Sequence, residues 1–116
     1  MGNKIVHIEF PAGDPAGAGA FYAQLFGWEL TPMGEGYTLF DPGDGGVGGG
    51  FSKPEGPSPN WVVCYIQVDD IEVKLAELVA AGGEQLLAKT EIGGGHGFYA
   101  LFKDPQGNIA GLWSKT

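Results

Sequence analysis

Two residues in the first apolar run have the types and spacing for ligand or acid–base chemistry. His7 and Glu9 stand two positions apart in Ile5-Val6-His7-Ile8-Glu9-Phe10, a β-branched and aromatic run that stops at Pro11 and reads as a strand. Side chains alternate across a strand, so His7 and Glu9 share one face while Val6, Ile8 and Phe10 take the other. An imidazole beside a carboxylate can hydrogen bond to it, exchange a proton with it, or join it in holding a cation. The residues favour a hydrogen-bonded polar pair in an otherwise apolar cleft. A lone imidazole does not hold Mg²⁺, Zn²⁺ or Ni²⁺ against water, since stable sites use about three or four protein ligands.

Further candidates lie in the second half. In Trp61 to Val68, the apolar set Val62, Cys64, Ile66 and Val68 is expected to pack on helices, leaving Val63, Tyr65 and Gln67 toward the cleft. Tyr65 and Gln67 suit ligand hydrogen bonds on a cleft wall. Cys64 has no basic neighbour in sequence and reads as inert packing rather than a nucleophile. In the last strand Trp113 shares a face with Ile109 and Gly111, where it could stack on a planar ligand or close the cleft's end. His96 sits between Gly93-Gly94-Gly95 and Gly97 and reads as a solvated loop residue, with a mobile lid as the functional alternative. His7, Glu9, Tyr65, Gln67, Trp113 and His96 therefore form the expected ligand-binding set. Gly46, Gly48, Gly49 and Gly50 resemble a phosphate loop only superficially, because no GK[ST] follows and no helix starts there.

The elements that must position these residues follow from pattern. Asp14-Pro15 is an N-cap with proline at the first helical position. Pro15 to Phe26 carries Ala18, Phe21, Tyr22, Leu25 and Phe26 at helical spacing, and Gly27 ends it. Short strands are expected at Trp28 to Thr31, Tyr37 to Phe40 and, weakly, Gly46 to Phe51; Lys53 to Asn60 reads as a linker. The pattern then restarts. Trp61 to Val68 is a strand, Ile71 to Ala81 a helix capped by Asp70, and Glu84 to Ala88, Phe98 to Phe102 and Ile109 to Trp113 are strands. The Asp-Pro turns are structural: Asp caps local N–H groups, and Gly107 permits positive φ.

The repeat is the strongest signal. Asp14 to Gly27 and Asp70 to Gly83 have the same spacing, Tyr37-Thr38-Leu39-Phe40 echoes Tyr99-Ala100-Leu101-Phe102, and Asp41-Pro42 echoes Asp104-Pro105. Seven residues after each of these Asp stands a glycine, Gly48 and Gly111. One domain, 1–116, is expected, made of repeats 4–53 and 61–114. Each repeat reads strand–helix–strand–strand–strand, and the fold class is α+β, with two βαβββ modules pairing into a curved, partly open barrel-like sheet.

Composition excludes several functions. The 116 residues hold 43% hydrophobic and 17% charged residues, enough for one core-forming domain. Six Lys+Arg against 14 Asp+Glu gives −8, which argues against nucleic acid as a partner. One cysteine rules out an intramolecular disulfide framework. No apolar run approaches the ~18 residues a membrane span needs. The opening MGNKIVHIEF lacks a signal peptide's apolar region, so a cytoplasmic location is expected.

The chain resembles the vicinal oxygen chelate superfamily, which includes glyoxalase I, bleomycin-resistance proteins and extradiol dioxygenases. The resemblance rests on Val6-His7-Ile8-Glu9-Phe10-Pro11 followed by Asp14-Pro15, on Phe21-Tyr22 and Leu25-Phe26-Gly27-Trp28, on Val68-Asp69-Asp70, and on Phe102-Lys103-Asp104-Pro105-Gln106-Gly107-Asn108. It implies metal ligands on the first and fourth strand of each half. Those positions fall on His7, Val63, about Gly48, and Gly111, so only His7 is a ligating residue. It also implies a homodimer around a small-molecule ligand. The expected function is a small-molecule binding protein of the glyoxalase/bleomycin-resistance type, with no cofactor and no complete metal site. The alternative is a lyase, isomerase or dioxygenase using His7 and Glu9 with Zn, Ni, Fe or Mn.

Overall fold

The computed structural model describes residues 2–54 and 60–116. The chain divides into two compact units, Val6–Cys64, and Tyr65–Thr116 together with the N-terminal residues through Ile5. The elements are β1 (Ile5–Pro11), α1 (Pro15–Phe26), β2 (Glu29–Pro32), β3 (Tyr37–Asp41) and β4 (Gly49–Ser52), then β5 (Val63–Gln67), α2 (Ile71–Ala80), β6 (Glu84–Glu91), β7 (Phe98–Lys103) and β8 (Ile109–Ser114). Each half thus runs strand–helix–strand–strand–strand, the expected α+β class. Of the expected linker 53–60, residues 55–59 lie outside the described residues.

The halves share their topology. Strands run β2-β3-β4-β1 in one and β6-β7-β8-β5 in the other. In each, the first strand pairs parallel with the fourth and the remaining pairings are antiparallel. Both helices start on aspartate caps: Asp14 accepts from the Gly17 N–H and Asp70 from the Val73 N–H, each at 3.1 Å. Gly27, at φ 73°, closes α1 by donating its N–H to the Ala23 carbonyl.

Several boundaries differ from expectation. β4 starts at Gly49 rather than Gly46, because Asp41 to Gly46 is taken up in turning: Asp41 accepts from the Gly43 N–H at 2.9 Å, and Gly46 bonds back to Gly43. β5 starts at Val63, leaving Trp61 and Val62 exposed, so Val62 is not packed under a helix. β6 runs three residues past Ala88, to Glu91, as a bulged partner of β7. The Asp104 turn is as expected. Its carboxylate accepts from the Asn108 side chain and from the Asn108 and Gln106 N–H groups, and these bonds hold its pKa below the usual carboxylate range.

Packing separates the two helices. α2 buries Ile71 and Leu75 against Val68, Ala100 and Leu112, with Ile66, Leu78, Phe98 and Phe102 around them. That is ordinary amphipathic packing. α1 packs differently. Its buried residues are Pro15 and Gly19, while Phe21, Leu25 and Phe26 are 59%, 57% and 60% exposed. Of the apolar residues at helical spacing, Tyr22 is half-buried and packs on Phe10 and Phe51, and the other aromatic and leucine side chains stay exposed. Gly19 comes so close to Leu30 and Thr38 that an added Cβ would sit 3.3 Å from the Leu30 methyls. The core beneath is aromatic: Trp28 stacks on Phe40 at 4.3 Å, Phe10 on Phe51 at 5.4 Å, and Tyr22 on Trp28 at 5.3 Å.

Candidate binding faces and the family they belong to

Strand register places each predicted residue. In Val6–Cys64, Glu9 lies opposite Gly50, and Leu39 lies on Gly50's other side. In the other half, Tyr65 lies opposite Gly111, with Leu101 on its far side. Glu9 and Tyr65 are thus equivalent, and so are Gly50 and Gly111. This corrects the expected match of Gly48 with Gly111. The stretch from Leu39 to Gly50 is one residue longer than that from Leu101 to Gly111, and Asp41 aligns with Lys103 rather than Asp104, so counting seven residues from Asp41 stops two short of the aligned glycine.

Neither glycine faces open space. A Cβ on Gly50 would overlap the phenol end of Tyr37, and a Cβ on Gly111 would overlap the ring of Tyr65. Tyr65 is only 7% exposed, so it is a packed plate over the β8 backbone rather than an open rim. Sequence pattern had placed it on the correct strand face. What it could not supply was the ring's fit onto a strand with no side chain.

His7 and Glu9 are half-buried on one face of β1, as expected, yet a third residue joins them. The Tyr37 hydroxyl lies 2.8 Å from His7 Nε2 and donates to Glu9 Oε2 at 3.1 Å. Direct His7–Glu9 approach is 3.9 Å, so the tyrosine is the bridge. A phenol has one proton. With that proton on Glu9, His7 must donate from Nε2. Burial lowers the His7 pKa below its usual 6.5, favouring the neutral ring. Burial raises the Glu9 carboxyl above 4.5, partly offset by the Tyr37 hydrogen bond. Tyr37 was missed as a site residue. Its signal was the repeated Tyr37/Tyr99 echo, since alternation puts Tyr37 on the Leu39 face, beside Gly50.

The corresponding face of the second half is aromatic. Tyr99 meets Tyr65 edge to face at 6.3 Å and lies opposite Trp113. The Trp113 indole donates to the His96 carbonyl at 2.9 Å, which fixes its plane. Gln67 lies opposite Trp113 and is exposed. His96 is exposed, and its loop is braced by bonds from Ile92 to Gly97 and from His96 to Gly93. It contributes its backbone to Trp113. Cys64 is half-buried.

The donors do not suit a divalent ion. Val63 is buried and apolar, Gly50 and Gly111 offer no side chain, and the His7 Nε2 that would ligate is engaged by Tyr37. Among the described residues, no group of three or more His, Cys, Asp or Glu gathers to hold one.

A family model described as a glyoxalase-like domain matches residues 6–112. The chain belongs to the glyoxalase-like domain family. A glyoxylase-like domain-containing protein of Didymella fabae is 31% identical over 97% of this chain and 94% of its own length. The anthracycline biosynthesis protein DnrV of Streptomyces peucetius is 30% identical over 91% of this chain. The chain spans less than half the length of some curated relatives, 46% of DnrV and 43% of CFP32 from Mycobacterium bovis. Among solved structures, a glyoxalase/bleomycin resistance protein/dioxygenase superfamily member from Vibrio splendidus shares the fold at TM-score 0.66 and 21% identity, covering 97% and 98% of the two chains. Among the described residues, no helix is long and apolar enough to cross a membrane.

Proposed function

We propose that this glyoxalase-like domain is a small-molecule binding module that works without a bound metal. The observation that carries the reading is the Tyr37 hydroxyl bridging His7 and Glu9, over a glycine that gives the site no carboxylate. That arrangement satisfies the polar groups by hydrogen bonds and leaves an acidic anchor for a ligand. The Glu9 side chain keeps 23% of its surface exposed, which leaves its carboxylate within reach of a ligand's donor. Beside Glu9, the half-buried Tyr37 ring gives a planar ligand a surface to stack on, at about 0.5–1.5 kcal/mol per stacked pair. The name of the DnrV relative, tied to anthracycline biosynthesis, supports a polycyclic ligand class. A cationic planar compound is the best probe, and doxorubicin supplies one.

Titration calorimetry of wild type, Glu9→Gln and Tyr37→Ala with doxorubicin tests the reading, alongside elemental analysis of protein never exposed to chelator. Well under one equivalent of Zn, Ni, Fe or Mn is expected, with doxorubicin affinity weakened several-fold in both variants. Stoichiometric metal lost on His7→Ala would overturn it.

A second reading, a lyase or isomerase, draws on the same hydrogen-bonded chain. A neutral imidazole and a carboxyl of raised pKa joined through a phenol form a path along which a proton can move. Deuterium incorporation into a carbon acid such as methylglyoxal–glutathione hemithioacetal, abolished by Glu9→Gln, would favour it over the binding module.

A further inference from the structure

We infer that Asp44 is a site of spontaneous isoaspartate formation, at which the Gly45 backbone nitrogen attacks the Asp44 side chain. Two conditions must meet for this chemistry. The carboxyl must be able to reach the next residue's nitrogen, and that residue must have an N–H and little bulk beside it. The chain has six aspartates. Asp14, Asp41 and Asp104 precede proline, which has no N–H to give up. Asp69 precedes Asp70, and Asp70 precedes the β-branched Ile71, so a side chain crowds each nitrogen. Asp44 alone precedes glycine. The folded chain sharpens the contrast. The carboxylates of Asp14, Asp41, Asp70 and Asp104 each accept from a backbone N–H and are held in place by it. Among the described residues, Asp44 has no hydrogen-bond or ion-pair partner for its carboxylate, and the Gly45 N–H donates to nothing.

The local geometry lets the two groups meet. Asp44 and Gly45 are the central pair of a turn closed by the Gly46 N–H on the Gly43 carbonyl at 3.1 Å. Gly45 has φ 75° and Asp44 is not at positive φ, so the turn is type II. Both residues are exposed, and a Cβ on Gly45 would meet nothing within 4 Å. Glycines at 43 and 45 flank Asp44, so its peptide planes turn easily. In the reaction the Gly45 nitrogen bonds to Cγ of the protonated carboxyl, and the Cγ–OH bond breaks. The hydroxyl leaves with the amide proton as water, which closes a succinimide. One water then adds back. Opening at Cγ restores aspartate; opening at the main-chain carbonyl leaves the chain running through Cγ, one methylene longer, with the main-chain carboxylate as its side group. Composition and charge end as they began, and no oxidant or cofactor is needed. The turn follows the Phe40–Gly49 pair, whereas Tyr37 pairs with Ser52 at the hairpin's other end, so the inference stands apart from the ligand reading.

Ageing the folded chain for several weeks, warm and at mildly acidic pH, tests this in wild type, Asp44→Glu and Gly45→Ala. Peptide mapping by mass spectrometry locates the change, and methyl transfer from S-adenosylmethionine by an isoaspartyl methyltransferase counts it. Wild type is expected to yield two peptides of equal mass and different retention across Asp44, preceded by a form lighter by one water. Peptides carrying the other five aspartates should stay single. Asp44→Glu should abolish the signal, because its ring would need a sixth member. Gly45→Ala should slow it several-fold, because the methyl crowds the attacking nitrogen. A synthetic peptide of residues 40–50 gives the rate without the fold, and the folded chain is expected to match it closely. A folded chain that stays unchanged while the peptide isomerises, a peptide that itself stays unchanged, or isoaspartate that gathers at another aspartate overturns the proposal.

Discussion

The two halves share a topology and a register, yet they use them differently. Residues 6–64 carry seven acidic residues and one lysine, whereas the rest of the chain carries seven and five. Most of the −8 charge therefore belongs to the half that holds Glu9. At the equivalent position the other half has Tyr65. One half bridges His7 and Glu9 through Tyr37; the other sets Tyr65 edge to face with Tyr99, which lies opposite Trp113. α2 is an ordinary amphipathic helix, whereas α1 packs Tyr22 on the strands and leaves Phe21, Leu25 and Phe26 exposed. What the halves keep in common is what the backbone demands: an aspartate cap, and a glycine at Gly50 and Gly111 with a tyrosine laid over it. Repetition here fixes the scaffold and leaves the chemistry of each face independent.

Glycine substitutions test that scaffold most severely. Gly49→Ala should be the largest effect, because its Cβ would overlap the Ile8 carbonyl, which is paired backbone and cannot yield. A loss of about 3 kcal/mol or more is expected by urea denaturation. Gly111→Ala must displace the buried Tyr65 ring and should cost about 2–3 kcal/mol. Gly50→Ala meets only the far end of Tyr37, so it should cost less, about 1 kcal/mol, while abolishing the Tyr37 bridge. Equal losses at Gly50 and Gly111 would mean that the two tyrosine plates are interchangeable, which the comparison denies.

The helices give the next contrast. Ile71→Ala should cost about 2–5 kcal/mol, because Ile71 is fully buried. Leu25→Ala should fall within about 0.5 kcal/mol of wild type, because Leu25 is exposed. A loss above 2 kcal/mol at Leu25 would show that α1 packs its bulky face inward after all. The caps bring the halves back together: Asp14→Ala and Asp70→Ala should each cost about 1 kcal/mol, by the same mechanism.

Much of this was legible in the sequence, and the misses have particular causes. The Asp-Pro caps, the repeat and the strand face of His7 and Glu9 follow from local chemistry and alternation, which need no tertiary information. The bounds of α1 were legible, but helical spacing does not say which of its apolar residues face the strands; the close approach of Gly19 goes with Tyr22 packed inward and Phe21, Leu25 and Phe26 outward. Gly50 was misassigned because hairpin length shifts register without marking it in composition. Tyr37 was overlooked because its partners are about thirty residues away, and only the β3–β4–β1 pairing brings them together.

The smallest effect, and the most specific, is the pH dependence of the His7–Tyr37–Glu9 face. The two shifts have opposite signs. Burial lowers the His7 pKa, so the folded state binds that proton more weakly than the unfolded chain. Its contribution is intact above the usual 6.5 and is lost as pH falls below it. Burial raises the Glu9 pKa, so the folded state binds that proton more tightly. Stability therefore rises as pH falls through the window just above the usual 4.5, and is lower at neutral pH. Urea midpoints from pH 4 to 8 should separate the two. His7→Gln should remove the loss below about 6.5. Glu9→Gln should be relatively more stable than wild type at pH 7 than at pH 4, because it never carries the buried charge. Tyr37→Phe should widen the Glu9 window upward, since it deletes the hydrogen bond that offsets burial. Tyr65→Phe, at the position equivalent to Glu9, should run parallel to wild type throughout, because it alters none of His7, Tyr37 and Glu9. Parallel profiles for Glu9→Gln and wild type would mean that Glu9 is solvated like any surface carboxylate, and the polar character assigned to this half of the molecule would be lost with it.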